Sequence, residues 1–272
     1  MYSGTTLTKI SGRVMGAHQK IDRVARRHLA LIVGSSNIFP SIGKILQFEG
    51  KNGPDGIKRK SPAKDEPWHY YSPFNNDDSQ LIELIQDHYR LLVQQLKLNN
   101  KERVAFEAAW LAHAIVDGLT PAHHYPYEKE LEELRGEGLE TRTTLKGKLL
   151  IPGDTKRKQV KNNWKMWGPK GLITTHGLFE FGIASIIKPL GFSDATPTKE
   201  ELQKIKEIGI VEWFKRSARE IAVLDMYNRY HHRGWSTRLT LDVRQKLAPN
   251  IIKTVTLAWY SAMAEAGLIE QS

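Results

Sequence analysis

The stretch WLAHAIVDGLTPAHHYPYE, residues 110–128, places ionisable side chains within an apolar helical pattern. It completes a helix that we predict over residues 101–118 and that cannot continue beyond Pro121. His113 and Asp117 are four residues apart, so their side chains leave the same face of this helix. This spacing predicts either a buried His–Asp hydrogen bond or a shared metal ion.

Two adjacent histidines, His123 and His124, follow the proline on a turn, where one of them can reach back toward His113. A second apolar helix carries His176 and Glu180, again four residues apart. Further pairs with this spacing are His18 with Asp22 and His124 with Glu128. Ionisable groups are costly to bury among Ala, Ile and Leu unless they are paired or bind a metal.

The segment PDGIKRKSPAKDEPWHY, residues 54–70, adds two candidates. Asp55 precedes a glycine and is typical of a turn, although its carboxylate is also a metal ligand. His69 lies between Trp68 and Tyr70, where it can either pack among aromatic rings or bind a metal. The local sequence does not separate these alternatives.

Apolar residues elsewhere recur with a period of about 3.6, and alternating strand-like runs are almost absent. The predicted helices are 15–33, 79–98, 101–118, 128–138, 172–188, 198–225 and 239–267. The Gly- and Pro-rich segments at about 48–78 and 139–171 are predicted as long loops. We therefore expect an all-α protein that forms one domain over residues 1–272.

The composition limits the possible chemistry. The 272 residues include no cysteine, ten histidines and a net charge of +10. Without cysteine, a disulfide scaffold, thiolate-bound zinc and a cysteine nucleophile are excluded, so a metal site must use His, Asp, Glu and backbone oxygens. No run approaches the about 20 apolar residues of a transmembrane segment.

The positive charge is concentrated in residues 142–170, which hold nine Lys or Arg and one acid. Such a run is typical of a solvated, mobile insertion. Alternatively, Trp164 and Trp167, beside Lys161 and Lys165, could bind an anionic membrane surface or the bases of a single-stranded nucleic acid.

In chain order, the candidate residues resemble the zinc-dependent phospholipase C and fungal single-strand nuclease superfamily. That family has an early His, an Asp and a His in a loop, then His-x-x-x-Asp-x-x-x-Pro-x-His, and finally His-x-x-x-Glu or His-x-x-x-Asp. The matching residues are His18, Asp55, His69, His113, Asp117, Pro121, His123, His176 and Glu180. The resemblance covers about residues 14–185 and implies a compact helical domain with a metal cluster in a cleft.

The resemblance also implies which residues bind each metal ion. One zinc ion would be bound by Asp55, His69, His113 and Asp117, and a second by His123, His176 and Glu180. A third would use His18 and a bridging Asp117. A zinc pair polarises a phosphoryl oxygen and lowers the pKa of bound water to about 7. Asp55 would in addition orient the attacking water.

Two departures from the family pattern affect these expectations. In the family an N-terminal Trp supplies its amino group and carbonyl to the third zinc ion, whereas the first Trp here is Trp68. The ligands of the third site are therefore not settled by the resemblance. Asp22 or His28 could replace the missing Trp, and His28 is also an alternative to His18 as the early His ligand. The basic insertion at 139–171 also lengthens the span between the last two ligand motifs.

The resemblance makes a zinc-dependent phosphodiesterase the leading hypothesis, with phospholipase C-type cleavage of phospholipids as its most specific form. The alternatives are a single-strand-specific zinc nuclease and a metal-stabilised helical binding protein without turnover. Residues 1–20 lack the apolar stretch of a signal peptide, so a cytoplasmic location is the default expectation. A trimmed secreted protein would have the same sequence.

Overall fold

The helices predicted from apolar spacing are present, with small shifts at their ends. The computed structural model describes residues 1, 16–34, 38–58 and 60–269, and all regular elements within these ranges are helical. The start of the helix predicted from residue 15 lies outside the described residues, as does the rest of 2–15. None of the described helices has the length and apolar content that crossing a bilayer requires.

The α-helices are Ala17–Val33 (α1), Ile42–Ile45 (α2), Pro54–Ile57 (α3), Gln80–Lys97 (α4), Lys101–Gly118 (α5), Tyr127–Arg135 (α6), Leu145–Leu149 (α7), Lys156–Trp167 (α8), Leu172–Ile187 (α9), Lys199–Ala222 (α10), Met226–Arg233 (α11), Thr237–Asp242 (α12) and Ala248–Glu265 (α13). Short 3₁₀ turns are Leu46–Phe48, Gly50–Asn52, Ala63–Asp65, Pro121–His124, Leu139–Thr141 and Ser193–Ala195, and a π turn, Val243–Leu247, joins α12 to α13. Gly209 interrupts α10 with a left-handed φ of 75°.

Helix α5 lies at the centre of the domain because its sequence is apolar on nearly every side. Thirteen of its eighteen residues are buried, and α1, α4 and α13 pack around it. The Trp259 indole of α13 donates a hydrogen bond to the Ala108 carbonyl of α5. His113 and Asp117 are therefore inside the domain, where polar side chains need partners.

The end of α5 is packed so closely that any side chain at position 118 would displace its neighbours. A Cβ atom there would lie 2.4 Å from Leu81 Cδ2 and 2.5 Å from Phe214 Cζ. Helices α4 and α10 thus close around the turn after Asp117. This packing fixes the start of the 3₁₀ turn that carries His123.

The loop predicted at 139–171 contains the helices α7 and α8, so that part of the prediction is wrong, whereas the described residues of the region 48–78 form only the one-turn helix α3 and short 3₁₀ turns. The Thr155 side chain caps α8 by accepting from the Lys158 amide, and no Gly or Pro interrupts residues 156–167. The sequence did not predict α8 because the segment is highly charged and only a small face of the helix is buried. The basic segment is also attached to the rest of the domain, because Lys148 Nζ donates to the Lys58 carbonyl at 2.6 Å.

Candidate metal centre

Two groups of three metal-ligating side chains lie next to each other at the end of α5. The first group is His18, His113 and Asp117, and the second group is His123, His176 and Glu180. Within each group, one ligand atom from every residue lies within 4.8 Å of the others. Each group could therefore hold one metal ion.

The first group joins the start of α1 to the buried end of α5. The His18 and His113 rings are stacked, with centroids 4.1 Å apart. His18 Nε2 lies 3.2 Å from Asp117 Oδ1, and His113 Nε2 lies 3.2 Å from Asp117 Oδ2. Both carboxylate oxygens of Asp117 thus face an imidazole nitrogen, and all three side chains are buried.

The backbone of Met1 completes the first group. Its ammonium contacts Asp117 Oδ1 and lies 3.3 Å from Glu180 Oε1. His18 Nε2 donates to the Met1 carbonyl at 2.8 Å. The amino group and carbonyl of the first residue are therefore in the cluster although that residue is not Trp.

The second group converges on one carboxylate oxygen. Glu180 Oε1 lies 2.9 Å from His123 Nε2 and 3.1 Å from His176 Nε2. The two imidazole rings are stacked at 5.2 Å. His123 Nδ1 points the other way and lies 3.6 Å from Asp117 Oδ1, so Asp117 connects the second group to the first.

Five buried atoms of the two groups lack hydrogen-bond partners: His18 Nδ1, His113 Nε2, Asp117 Oδ2, His123 Nδ1 and His176 Nδ1. His113 Nε2 and Asp117 Oδ2 are close, yet they are not aligned as a hydrogen bond. A buried polar atom without a partner costs about 1–3 kcal/mol. A cation between His113 Nε2 and Asp117 Oδ2 would satisfy both atoms, so the geometry fits a metal ion as well as it fits the His–Asp pairing that the sequence left open.

A buried carboxylate fixes the orientation of His113. Glu49 Oε1 accepts a hydrogen bond from His113 Nδ1 at 2.9 Å, which leaves Nε2 directed at Asp117. A carboxylate on the far nitrogen is the usual way in which a metal-binding imidazole is held. Asp22 lies in the same buried region, where burial and the Glu49 charge raise the pKa of its carboxyl well above the ordinary value.

The carboxylates of the cluster are ionised despite their burial. Burial alone would raise the pKa of Asp117, but the Met1 ammonium and the nearby imidazoles hold it well below its usual range. For Glu180, the Met1 ammonium and His176 likewise outweigh burial and lower the pKa. The cluster therefore presents negative charge to a cation.

The imidazoles of His113 and His123 are affected in opposite directions. Burial lowers the pKa of His113, but the Glu49 and Asp117 carboxylates outweigh it and raise the pKa to about 10. Burial and the Met1 ammonium lower the pKa of His123 to about 4. His123 is thus neutral, whereas His113 must release a proton before Nε2 can bind a metal.

Asp55 and His69 lie at the rim of the cluster, outside both groups of three. Asp55 Oδ1 is 3.9 Å from His113 Nε2 and 2.7 Å from Lys58 Nζ. Although burial opposes it, Lys58 is the main charge that lowers the pKa of Asp55. The His69 ring centroid lies 5.2 Å from that of His123.

Tight backbone packing places Asp55 at this rim. Pro54 starts the short helix α3, and a Cβ atom on Gly56 would lie 1.9 Å from the Lys51 carbonyl oxygen. Only glycine permits this approach of the backbone, and the approach fixes the position of the neighbouring Asp55.

Aromatic rings form one wall beside the second group. Tyr70 and Tyr127 stack at 5.6 Å, and Tyr127 contacts His176 edge-on at 5.2 Å. A cavity of about 440 Å³ includes in its lining Tyr227, whose ring centroid lies 6.3 Å from that of His176. It is lined by Tyr125, Glu130, Glu133, Leu134, Lys165, Lys170, Leu172, Thr175, Tyr227 and His231.

The remaining histidines singled out in the sequence lie elsewhere. His28 donates to the Phe192 carbonyl at 2.8 Å and contacts Thr196, so it is not the early residue at the cluster. His124 donates to the Gly118 carbonyl at 2.8 Å. His231 and His232 are exposed on α11 and contact each other.

Three residues near the cluster were missed by the sequence reasoning: Met1, Glu49 and Lys58. Met1 contributes backbone groups, which no side-chain pattern reveals. Glu49 is 64 residues from its partner His113. Lys58 is one cation within the run KRK and has no distinguishing local signal.

Comparison with protein-family models, curated proteins and solved structures gives no match for the chain. The function proposed below is therefore based on the residues and their geometry.

Proposed function

We propose that this protein is a zinc-dependent hydrolase of phosphodiester bonds. The observation that carries the proposal is the bridging position of Asp117 between two groups of His and carboxylate side chains, with the buried His113 Nε2, Asp117 Oδ2 and His123 Nδ1 lacking hydrogen-bond partners. Imidazole and carboxylate together form a ligand set typical of catalytic zinc. The same ligand order underlies the resemblance to the phospholipase C and single-strand nuclease superfamily.

The residues divide into those that would bind metal and those that hold them in place. The first and second groups would each bind one zinc ion, and the Met1 carbonyl and its amine, once it has lost its proton, would add to the ligands of the first. When bound, zinc ions polarise a phosphoryl oxygen and acidify a water molecule. Glu49 orients His113, and the buried packing around α5 keeps the ligands in register.

At the rim, Asp55 and Lys58 would act on the reacting groups. Asp55 is ionised, so its carboxylate can accept a hydrogen bond from the attacking water and orient it. The Lys58 side chain is 27% exposed, and its ammonium can contact a phosphoryl oxygen in the cleft. The water oxygen would form a bond to phosphorus while the bond from phosphorus to the leaving oxygen breaks, and the proton released by the water would end on the leaving oxygen as the hydroxyl of the alcohol product.

Phospholipids are the favoured substrate class, with cleavage on the glycerol side of the phosphate. The aromatic wall and the neighbouring cavity offer room for a headgroup, and the exposed apolar residues of α7 and α8 suit a lipid surface better than a polynucleotide. A single-strand nuclease is the second candidate because the stacked Tyr70 and Tyr127 could also bind a base.

The test is whether zinc-loaded protein hydrolyses each of three substrates: phosphatidylcholine vesicles, a single-stranded DNA oligonucleotide and a simple aryl phosphodiester. We expect release of diacylglycerol and phosphocholine from the vesicles, with loss of activity after chelation and in His113→Ala and Asp117→Ala. Asp242→Ala is a matched control, since Asp242 is buried but pairs with Arg229 away from the cluster.

Each outcome decides between the candidates. Cleavage of the oligonucleotide alone would replace phospholipase activity with nuclease activity. If zinc is bound but none of the three substrates is cleaved, the protein is a metal-stabilised binding protein and the proposal is wrong. Retained activity in both cluster variants would also overturn it.

A further inference from the structure

Helix α8 has two distinct sides. On the inner side, Met166 is buried, and the Asn163 side chain bonds to both the amide and the carbonyl of Ile151. On the outer side, Val160, Trp164 and Trp167 follow the i, i+4, i+7 spacing of a single helix face. Val160 is 70% exposed and Trp164 is 68% exposed, so this second apolar face has no partner among the described residues.

The apolar face continues onto the end of α7. Trp167 Nε1 donates to the Leu149 carbonyl at 2.7 Å, which places the two segments next to each other. We define the α7–α8 surface as Leu149, Leu150, Val160, Trp164 and Trp167. Of the fourteen large apolar side chains exposed in the described part of the chain, six lie within residues 145–167. Clustering of this kind marks a binding surface.

Basic side chains surround the α7–α8 surface. Arg142 and Lys148 are used internally, in ion pairs with Glu128 and Glu66, and Lys158 pairs with Asp154. The other basic residues of the segment are exposed: Lys146, Lys156, Arg157, Lys161, Lys165 and Lys170. The surface therefore combines an apolar centre with a strongly cationic border.

We propose that the α7–α8 surface docks the protein on an anionic lipid bilayer. Trp side chains are favoured at the boundary between headgroups and acyl chains, and Lys and Arg reach the charged headgroups around them. Three of the five apolar residues are aliphatic, and aliphatic side chains have no π-face on which a nucleic-acid base can stack. A symmetric contact with a second copy would bring like charges together.

The surface is connected to the candidate metal centre through a small core. Met166 packs with Ile151 and Leu131, and Tyr127 of the same core contacts His176. This small core therefore lies between the α7–α8 surface and the second group. Vesicle binding itself requires no turnover, so it can be tested independently of the proposed hydrolase activity.

The test is co-sedimentation of the full chain with vesicles of phosphatidylcholine alone and of phosphatidylcholine with phosphatidylserine. We expect binding that requires phosphatidylserine and weakens with salt. Lys161→Glu should weaken it about 30-fold, since each basic residue at an anionic surface contributes about fivefold and reversal counts twice. Lys199→Glu, also exposed but on α10, is the matched control.

The apolar centre of the surface is tested in the same assay by Val160→Asp, which should weaken vesicle binding. Its control is Val223→Asp, because Val223 is also 70% exposed but lies at the end of α10. Quenching of tryptophan fluorescence by brominated lipid should fall in Trp164→Phe while binding persists. Circular dichroism of each variant shows whether it is folded.

The proposal is overturned if neither vesicle binds, or if Val160→Asp and Val223→Asp bind alike. Binding to a single-stranded oligonucleotide but not to vesicles, lost in Val160→Asp, would assign the surface to nucleic acid. A concentration-dependent dimer that Val160→Asp dissociates would assign it to self-association. Vesicle binding without hydrolysis would support the docking surface while the proposed hydrolase activity fails.

Discussion

Lys58 provides a sharp test of the proposed phosphate contact. Its ammonium lies 2.7 Å from Asp55 Oδ1, and the Lys58 side chain is 27% exposed. Burial alone would lower the pKa of Lys58, but Asp55 and the other carboxylates raise it, so the ammonium stays charged. Replacement by Met keeps most of the side-chain length and removes the charge.

The expected loss follows from this position. A hydrogen bond to a charged group contributes about 1.5–3 kcal/mol, and partial exposure to solvent places Lys58 toward the lower end of that range. About 1.4 kcal/mol corresponds to a tenfold change in affinity, so Lys58→Met should raise the Kd of inorganic phosphate about 10-fold. Metal content should not fall, because the substitution removes a cation that competes for Asp55.

Isothermal titration of zinc-loaded protein with inorganic phosphate measures this change directly. Lys60→Met is the matched control, since Lys60 is exposed two residues along the same segment. Lys58→Arg should retain most of the affinity. An unchanged Kd in Lys58→Met with full metal content would refute the phosphate contact. If Lys60→Met loses as much affinity for phosphate as Lys58→Met, the effect comes from the general positive charge of the segment and not from a contact by Lys58.

Three further predictions concern stability and the cluster. Glu49→Ala leaves the buried His113 Nδ1 without its acceptor and should lower the free energy of unfolding of metal-free protein by about 1–3 kcal/mol; urea denaturation showing no change would contradict this. Burial lowers the pKa of His28, so the unfolded chain binds the extra proton and stability should fall as the pH drops below about 6.5. The same denaturation series in His28→Asn should show a shallower slope, and parallel slopes would contradict the assignment. In the first site the Met1 amine would be a ligand once it has lost its proton, so residues added before Met1, which turn the amine into an amide, should lower the metal content measured by mass spectrometry, and cleaving them off should restore it; equal content in both forms would remove Met1 from the site.

The sequence predicted the parts of the structure that depend on local spacing. Helices α5 and α9 follow from apolar periodicity, and the four-residue intervals in them place His113 with Asp117 and His176 with Glu180 on single faces. The proline after α5 also correctly indicated its end. These features depend on residues within about one or two helical turns, which is the distance over which sequence patterns are informative.

Features that depend on distant contacts were not predictable. Glu49 reaches His113 only because the short turns at 46–57 fold against α5. Helix α8 was hidden because most of its side chains are charged or polar and only Met166 is fully buried within it. The sequence indicates Trp164 and Trp167 as candidate binding residues, but only the structure shows that they share a face directed away from the core.

Metal content of the purified, tag-free chain, equilibrated with zinc and analysed by inductively coupled plasma mass spectrometry, tests the candidate metal centre directly. We predict at least two zinc ions per chain, one for each group, and a loss of at least one in Asp117→Asn but not in Asp242→Asn. Circular dichroism of each variant is the control for folding. No bound metal, with folding unchanged after exhaustive chelation, would contradict the account and leave His113 and Asp117 as polar residues of the core.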